Sequence, residues 1–486
     1  MTSSWLLIKG GHVVDTESGT VQRDQDVLIQ DETIAKIASG IDLAADVPRG
    51  DPIEQMDARG TYICPGLIDM HCHMTYGESN TQEEQDLYTS VELRTLIAAA
   101  NLRKVLRAGF TTISQPGGSY YIGVGLRDAL VSGLIQGPRM HTAGRYLTTS
   151  NGLTDWYPDH VGVPEGSIGV LTNTVEEMVR EIRHQVKNGV DLIKLADSPY
   201  GEYQAFTDDE MAIAAALVHQ LKRKITIHAR GSAEVSVAVR AGMDWIMHGN
   251  TMTPEVIEEL AESRIPLVPT LLLLANIADY GDNVGVAAQT RDNVKRLLDR
   301  TAATLHDAHD AGVTFMVGTD SGFAVTPYGE WHARELQLLR DFAGLSIAEA
   351  LQAATTIPAR ALGMEGKLGT MRIGATADLL VLESDPLRDL SVLLKPGGIR
   401  TVIQSGHPID TSDQEQERRW RNLRSRTLSH GTVLRRDFLD GIPPAAASTA
   451  VMDGPDAKDP DLTEVFHTVR RFERDAVLDI DEQEKA

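Results

Sequence analysis

The hydrophobic pattern of the chain changes rhythm twice. Near the N-terminus, Leu6-Leu7-Ile8 and Val27-Leu28-Ile29 are short apolar runs broken by Gly10-Gly11 and Asp31-Glu32, as antiparallel hairpins are. Runs of the same kind return at Ala377-Asp378-Leu379-Leu380-Val381-Leu382 and Thr401-Val402-Ile403, bounded by Gly, Pro and Asp. The two sets predict a small β-sandwich domain built from both ends of the chain, residues 1–60 plus 370–410.

Between them, apolar runs alternate with amphipathic segments, the pattern of βα units around a parallel sheet. Eight strands are predicted, centred on Leu67, Thr112, Met140, Ile193, Ile227, Ile246, Val268 and Val317. Helices are predicted over 87–107, 174–188, 208–221, 254–263, 291–311 and 346–357. Thr207-x-x-Glu210 ahead of Met211 and Ile213 reads as a capping box, and Thr253-Pro254 as a cap with a first-turn proline. The expected fold is therefore α/β, a (β/α)8 TIM-like barrel over residues 61–369. From about residue 411 to 486 the composition turns to Asp, Glu, Arg and Gln, with Pro443-Pro444-Ala445-Ala446-Ala447 as a linker. Within this charged extension, Arg418–Leu439 carries Trp420, Leu423, Leu428, Val433, Leu434 and Phe438. It reads either as a helix packed on the barrel or a neighbouring subunit, in a homo-oligomer, or as a disordered arm.

Composition narrows the partners. Lys and Arg number 46 against 69 Asp and Glu, a net charge of −23, which disfavours nucleic acid and leaves a small-molecule substrate as the expected partner. The apolar run Trp5–Ile8 meets Lys9, Gly10 and Gly11 at once, too short for a signal peptide. No run reaches the ~18 apolar residues of a membrane helix. Cys64 and Cys72 are too few for a disulfide scaffold and suit a reducing compartment, so the expected location is the cytoplasm.

The candidate chemistry starts at Pro65-Gly66-Leu67-Ile68-Asp69-Met70-His71-Cys72-His73, an apolar strand ending in His-x-His. Residues i and i+2 of a strand share a face, so both imidazoles point one way and suit a divalent ion such as zinc, cobalt or manganese. Three later strands deliver further ligand types: His228 after Ile225-Thr226-Ile227, His248 after Trp245-Ile246-Met247, and Asp320 after Val317-Gly318-Thr319. Barrel enzymes gather catalytic groups at those strand ends. Lys194 closes the apolar run Val190–Ile193. A buried ammonium beside metal-binding histidines is costly, so Lys194 is either a solvated strand-end lysine or one carboxylated by CO2 into an anionic bridge between two metals.

With these motifs the sequence resembles the amidohydrolase superfamily, in its imidazolonepropionase-like and prolidase-like branch, from about residue 5 to residue 406. Further matching motifs are Gly109-Phe110-Thr111-Thr112, Gly137-Pro138-Arg139, Val268-Pro269-Thr270-Leu271, Gly318-Thr319-Asp320-Ser321-Gly322, His332-Ala333-Arg334-Glu335-Leu336 and Gly374-x-x-Ala377-Asp378-Leu379. The resemblance implies a site of two metals, zinc first and manganese, cobalt or iron as alternatives. His71, His73 and Asp320 would hold one ion, His228 and His248 the other, with carboxylated Lys194 bridging. It also implies attack by metal-activated water, Asp320 acting as the catalytic proton acceptor.

The chain departs from dipeptidase-like relatives at Ser114-Gln115, Asn151-Gly152-Leu153 and His228-Ala229-Arg230, where they commonly show Arg-Asp, Gly-Gly-His and His-Ala-His. Leu153, Trp156, Tyr157, Tyr200, Tyr203 and Phe323 fall on predicted loops after strands and would line an apolar pocket. The reading is hydrolysis of a carbon–nitrogen bond in a small, largely apolar amide, urea, carbamate or thiocarbamate, as the phenylurea and molinate hydrolases of this branch perform. Two alternatives stand beside it: an Xaa-Pro or Xaa-Arg dipeptidase in which Arg230 or Gln115 holds a carboxylate, and a deaminase-type hydrolase with one metal.

Overall fold

A computed structural model describes residues 3–411 except residue 80, together with Leu434 and Arg436. The N-terminal part forms β1 (Trp5–Asp15), β2 (Thr20–Gln30), β3 (Thr33–Ala38), β4 (Ile53–Asp57) and β5 (Tyr62–Pro65). There follow β6 (Leu67–Asp69), β7 (Phe110–Gln115), β8 (Arg139–Thr142), β9 (Tyr146–Thr148), β10 (Gly169–Leu171), β11 (Leu192–Ala196), β12 (Lys224–Gly231), β13 (Trp245–Thr251) and β14 (Leu267–Val268). Late in the chain come β15 (Leu379–Leu382), β16 (Ile399–Gln404) and β17 (His407–Ile409).

Strands from the two ends join in one eight-stranded sheet, ordered β17-β16-β15-β5-β1-β2-β3 with β4 beside β1. Alternation explains their unbroken apolar runs. In β1, Leu6 and Ile8 enter one cluster with Val27, Ile29 and Ile34, while Trp5 and Leu7 meet Leu28 on the other face. In β15, Leu379 and Val381 belong to that first cluster, whereas Leu380 and Leu382 belong to the main core. Both faces of β15 are buried, so it reads as four apolar residues in a row.

The middle of the chain holds two parallel sheets, β6-β7-β8 and β10-β9-β11-β12-β13-β14. The predicted helices sit where the periodicity put them, among them Val91–Arg107, Val175–Lys187, Asp208–Gln220, Pro254–Ser263 and Ala288–Asp310. The Thr207/Glu210 capping box forms as read. The predicted span 346–357 is instead two short helices, Ile347–Ala353 and Thr356–Ala361.

The strand expected around Val317 is not a regular ladder. The stretch 314–321 bonds in both directions: Met316 N–H to the Leu267 carbonyl (2.8 Å), and Met70 N–H to the Val317 carbonyl (2.9 Å). Its periodic pairing is interrupted because Val317 N–H goes to Ala353 (2.8 Å), and because Asp320 turns left-handed at φ 52°. The short strands β9 and β10 were not among the eight expected. Among the described residues no helix is long and apolar enough to cross a membrane. The segment Arg418–Leu439 lies outside the described residues except for Leu434 and Arg436. Leu434 is buried, its N–H bonding Ala324 (2.9 Å) and its carbonyl accepting from Trp331 Nε1 (2.7 Å).

Candidate metal centre

β6 delivers the first two histidines, and Asp69 fixes how they leave it. One carboxylate oxygen of Asp69 accepts from His71 N–H (2.9 Å) and Thr319 N–H (3.1 Å). The other accepts from Thr319 Oγ1 (2.6 Å) and lies 2.8 Å from His332 Nδ1. One buried carboxylate thus clamps the chain carrying His71 to the chain carrying Asp320.

Each histidine ring is then oriented through its Nδ1, by Thr270 Oγ1 for His71 (3.0 Å) and by the Gly117 carbonyl for His73 (2.7 Å). Their Nε2 atoms are left facing each other at 3.1 Å, with Asp320 Oδ1 at 3.5 Å and 3.3 Å. Lys194 Nζ lies 3.4 Å from His71 Nε2. The cluster continues through His248, whose ring centroid is 5.3 Å from that of His71, to His228, 4.3 Å further on. All six expected ligand positions are therefore side by side and buried. Lys194 stands two residues inside the end of β11 rather than at it.

Burial, with the nearby cationic side chains, pushes all four imidazoles well below their ordinary pKa, so they are neutral nitrogen donors. Burial also brings the Lys194 ammonium down to about 8 and lifts Asp320 to about 6, with Lys194 and Arg230 opposing the latter shift. His248, Thr270 and Asp320 all adopt positive φ, 79°, 59° and 52°. Three strained non-glycine residues at neighbouring strand ends are a mark of a functional site.

Donor chemistry and geometry fit a divalent ion. The ligand atoms of His71, His73 and Asp320 lie within 4.8 Å of one another. His228 Nε2 is buried without a hydrogen-bond partner, a state that costs stability unless something else occupies its lone pair. A second group, Asp69, Cys72 and His332, is equally close. There the Asp69 oxygens are engaged in the clamp and burial holds the Cys72 thiol protonated. Because Thr270 fixes the ring of His71, Thr270→Val is expected to weaken metal affinity about 10–100-fold, read by competitive chelator titration.

The substrate-side residues divide. Leu153 and Phe323 pack with Tyr76 and Tyr146 in one apolar cluster; Tyr76 also stacks on His73 at 4.5 Å and Tyr146 lies under Lys194 Nζ at 5.5 Å. Arg230, expected to face either way, is 8% exposed. It follows His228 by two along β12, so both share a face, and its Nη1 donates to Asn250 Oδ1 (2.6 Å). Tyr200 is buried and Trp156 half-buried.

Two further expected contact residues have protein partners of their own. Gln115 is engaged in holding the fold, its Oε1 accepting from Met74 N–H (3.1 Å) and its Nε2 donating to Thr142 Oγ1 (3.2 Å). Tyr203 is 38% exposed and its hydroxyl braces the 151 loop through both the Asn151 carbonyl and Nδ2. Tyr76, Tyr146 and the clamp residue Asp69 were not foreseen as parts of the site. Tyr76 lies three residues past His73, a spacing with no period to flag it.

The profile of the Amidohydrolase family matches residues 62–409. The chain belongs to the amidohydrolase family. Members generally bind divalent metals, and this chain is a hydrolase of that family. It is 27% identical over 419 residues to ochratoxinase of Aspergillus niger, covering 80% of this chain and 83% of that protein. The crystal structure of a Xaa-Pro dipeptidase with bound methionine in the active site superposes with a TM-score of 0.73 at 25% identity, over 83% of this chain and 99% of that one. Molinate hydrolase shares the fold, with a TM-score of 0.70 at 22% identity over 85% and 96%.

Proposed function

We propose that this amidohydrolase cleaves the carbon–nitrogen bond of an amide, urea, carbamate or thiocarbamate in a small, largely apolar molecule. The observation that carries the reading is the convergence of His71, His73 and Asp320 within 4.8 Å. Lys194 and the two further histidines lie beside them, under an apolar cover of Tyr76, Tyr146, Leu153 and Phe323. In this reading His71, His73 and Asp320 would hold one ion and His228 and His248 a second, and Lys194, carboxylated by CO2, would supply an anionic oxygen ligand beside them. The two parallel sheets are taken to form one (β/α)8 barrel, a view supported by the hydrogen bonds of 314–321 to β14 on one side and to Met70, the residue after β6, on the other. The proposed units are the barrel over 61–369, the end-built β domain over 1–60 and 370–410, and the 411–486 extension.

The ions, zinc first and manganese, cobalt or iron as alternatives, would supply acidification of water and polarisation of the scissile carbonyl. The protein's own groups do the rest. Asp320 Oδ accepts the proton of the attacking water and hands it to the departing nitrogen. The apolar cover excludes bulk water, which strengthens every charge interaction beneath it. Lys194 beside His71 favours two ions over the one of a deaminase-type site.

Arg230 favours a second reading, an amide substrate bearing a carboxylate, as an Xaa-Pro or Xaa-Arg dipeptide does. A guanidinium on the same face of β12 as His228, two residues further along, would hold that carboxylate beside the candidate ligands. A panel of phenylureas, thiocarbamates, N-acyl amides, N-acyl amino acids and Xaa-Pro dipeptides tests both. Turnover of neutral members supports the first reading, turnover only of carboxylates the second, and turnover of none overturns both. For a carboxylated substrate, Arg230→Met is expected to raise KM about 10–100-fold with a smaller change in kcat. An unchanged KM removes Arg230 from the binding site.

A further inference from the structure

A cavity of about 490 Å3 opens at the opposite ends of the strands from the histidine cluster. Its wall includes the first residues of three neighbouring strands, Leu192 of β11, Lys224 of β12 and Trp245 of β13. From Lys224 to His228 is four residues of strand, ~13 Å at ~3.3 Å per residue, so the cavity is no part of the reaction site.

Its charges do not balance. Asp244 is compensated inside the wall, one oxygen 2.8 Å from Lys224 Nζ and the other 3.0 Å from His219 Nε2. Asp191 is compensated from outside by Arg127 Nη1 at 2.7 Å. Lys222 and Arg223 also line the cavity and have no carboxylate partner among the described residues. The Arg223 side chain makes one hydrogen bond, from Nη1 to the Lys222 carbonyl (3.2 Å), and its Nε is buried without an acceptor. Trp245 is 0% exposed, and its indole Nε1 likewise finds no acceptor.

In a chain of net charge −23, the residues of this wall include two uncompensated cations, Lys222 and Arg223, and two buried N–H donors without acceptors, Arg223 Nε and Trp245 Nε1. Unsatisfied buried donors call for an acceptor, and arginine and lysine together suit an oxyanion. We infer that the cavity binds a small oxyanion, carboxylate or phosphate, charge-paired by Lys222 and Arg223 and hydrogen-bonded by Trp245 Nε1. The barrel strands that carry Lys194, His228 and His248 begin in this wall, which is the position of an effector site and not of a substrate site.

The test is isothermal titration of the metal-loaded full chain with inorganic phosphate and, separately, with succinate. Any anion taken up by the metals is common to wild type and variants, so the difference between isotherms reads the cavity. Lys222→Gln/Arg223→Gln is expected to weaken the wild-type site at least about tenfold, as loss of charge-assisted hydrogen bonds does. Trp245→Phe keeps an aromatic side chain while removing the indole N–H, and is expected to weaken it about fivefold. Whichever anion binds tighter names the ligand class. Superimposable isotherms for wild type and both variants, or no saturable uptake of either anion by wild type up to about 10 mM, overturn the inference. Because Lys222 is exposed and Arg223 half-buried, the double variant is expected to keep the wild-type melting temperature without anion.

Discussion

Lys194→Ala is expected to lose metal and hydrolytic activity together. Lys194 is buried at 1% exposure, 3.4 Å from His71 Nε2, and shares its surroundings with three more imidazoles, Arg230 and Asp320. Burial holds its amine at about 8, near enough to neutrality to react with CO2. An unmodified ammonium there would repel the cations that the neutral histidines attract. As the proposed carbamate, the same side chain would be an anion beside them and would remove the conflict. Inductively coupled plasma mass spectrometry of wild type should give about two metals per chain, and the variant about one or fewer. Activity should fall at least about 100-fold, since the several kcal/mol that a metal contributes to the transition state leave with it. Formate or acetate, entering the space the side chain leaves, should restore part of both. One metal per chain in wild type, with activity indifferent to the substitution, would remove the bridge and favour a one-metal hydrolase of the deaminase type.

How much of this could be read without coordinates follows from the range of the forces involved. The six candidate ligand positions could be picked out because strand alternation is local: His71 and His73 differ by two, and His228 and His248 each follow an apolar run. The helices were legible because their caps and periodicity are local too. Orientation was not. The Arg230 side chain is held by Asn250 with the Gly201 backbone packed against it, and Gln115 is held by Met74 and Thr142. Those partners lie far off in sequence and leave no period in it. The Asp69 clamp was hidden for the same reason, since Asp69 reaches Thr319 and His332 across 250 and 263 residues. The irregular stretch at 314–321 reads as a strand by composition; only its contacts with Ala353 and the left-handed Asp320 break the ladder.

Asp320→Asn should abolish turnover while leaving the fold intact, with kcat reduced about 10²–10⁴-fold, the usual contribution of a positioned proton carrier. Asparagine is nearly isosteric and tolerates the left-handed backbone that Asp320 occupies at φ 52°, so a folding defect is not expected. Metal-free protein gives an independent check. There burial raises Asp320 to about 6, above the ordinary aspartate value of 3.8. A raised folded-state pKa means the ionised form destabilises the native state as pH climbs through that range. The metal-free variant should therefore melt no lower than metal-free wild type at pH 7. In the loaded protein the proton carrier must be anionic, so wild-type kcat falls as pH drops through its apparent pKa. Bound cations would draw that limb to lower pH. A variant that keeps a tenth or more of wild-type kcat, with the same acid limb, would place the proton transfer on another group and leave Asp320 as a ligand alone.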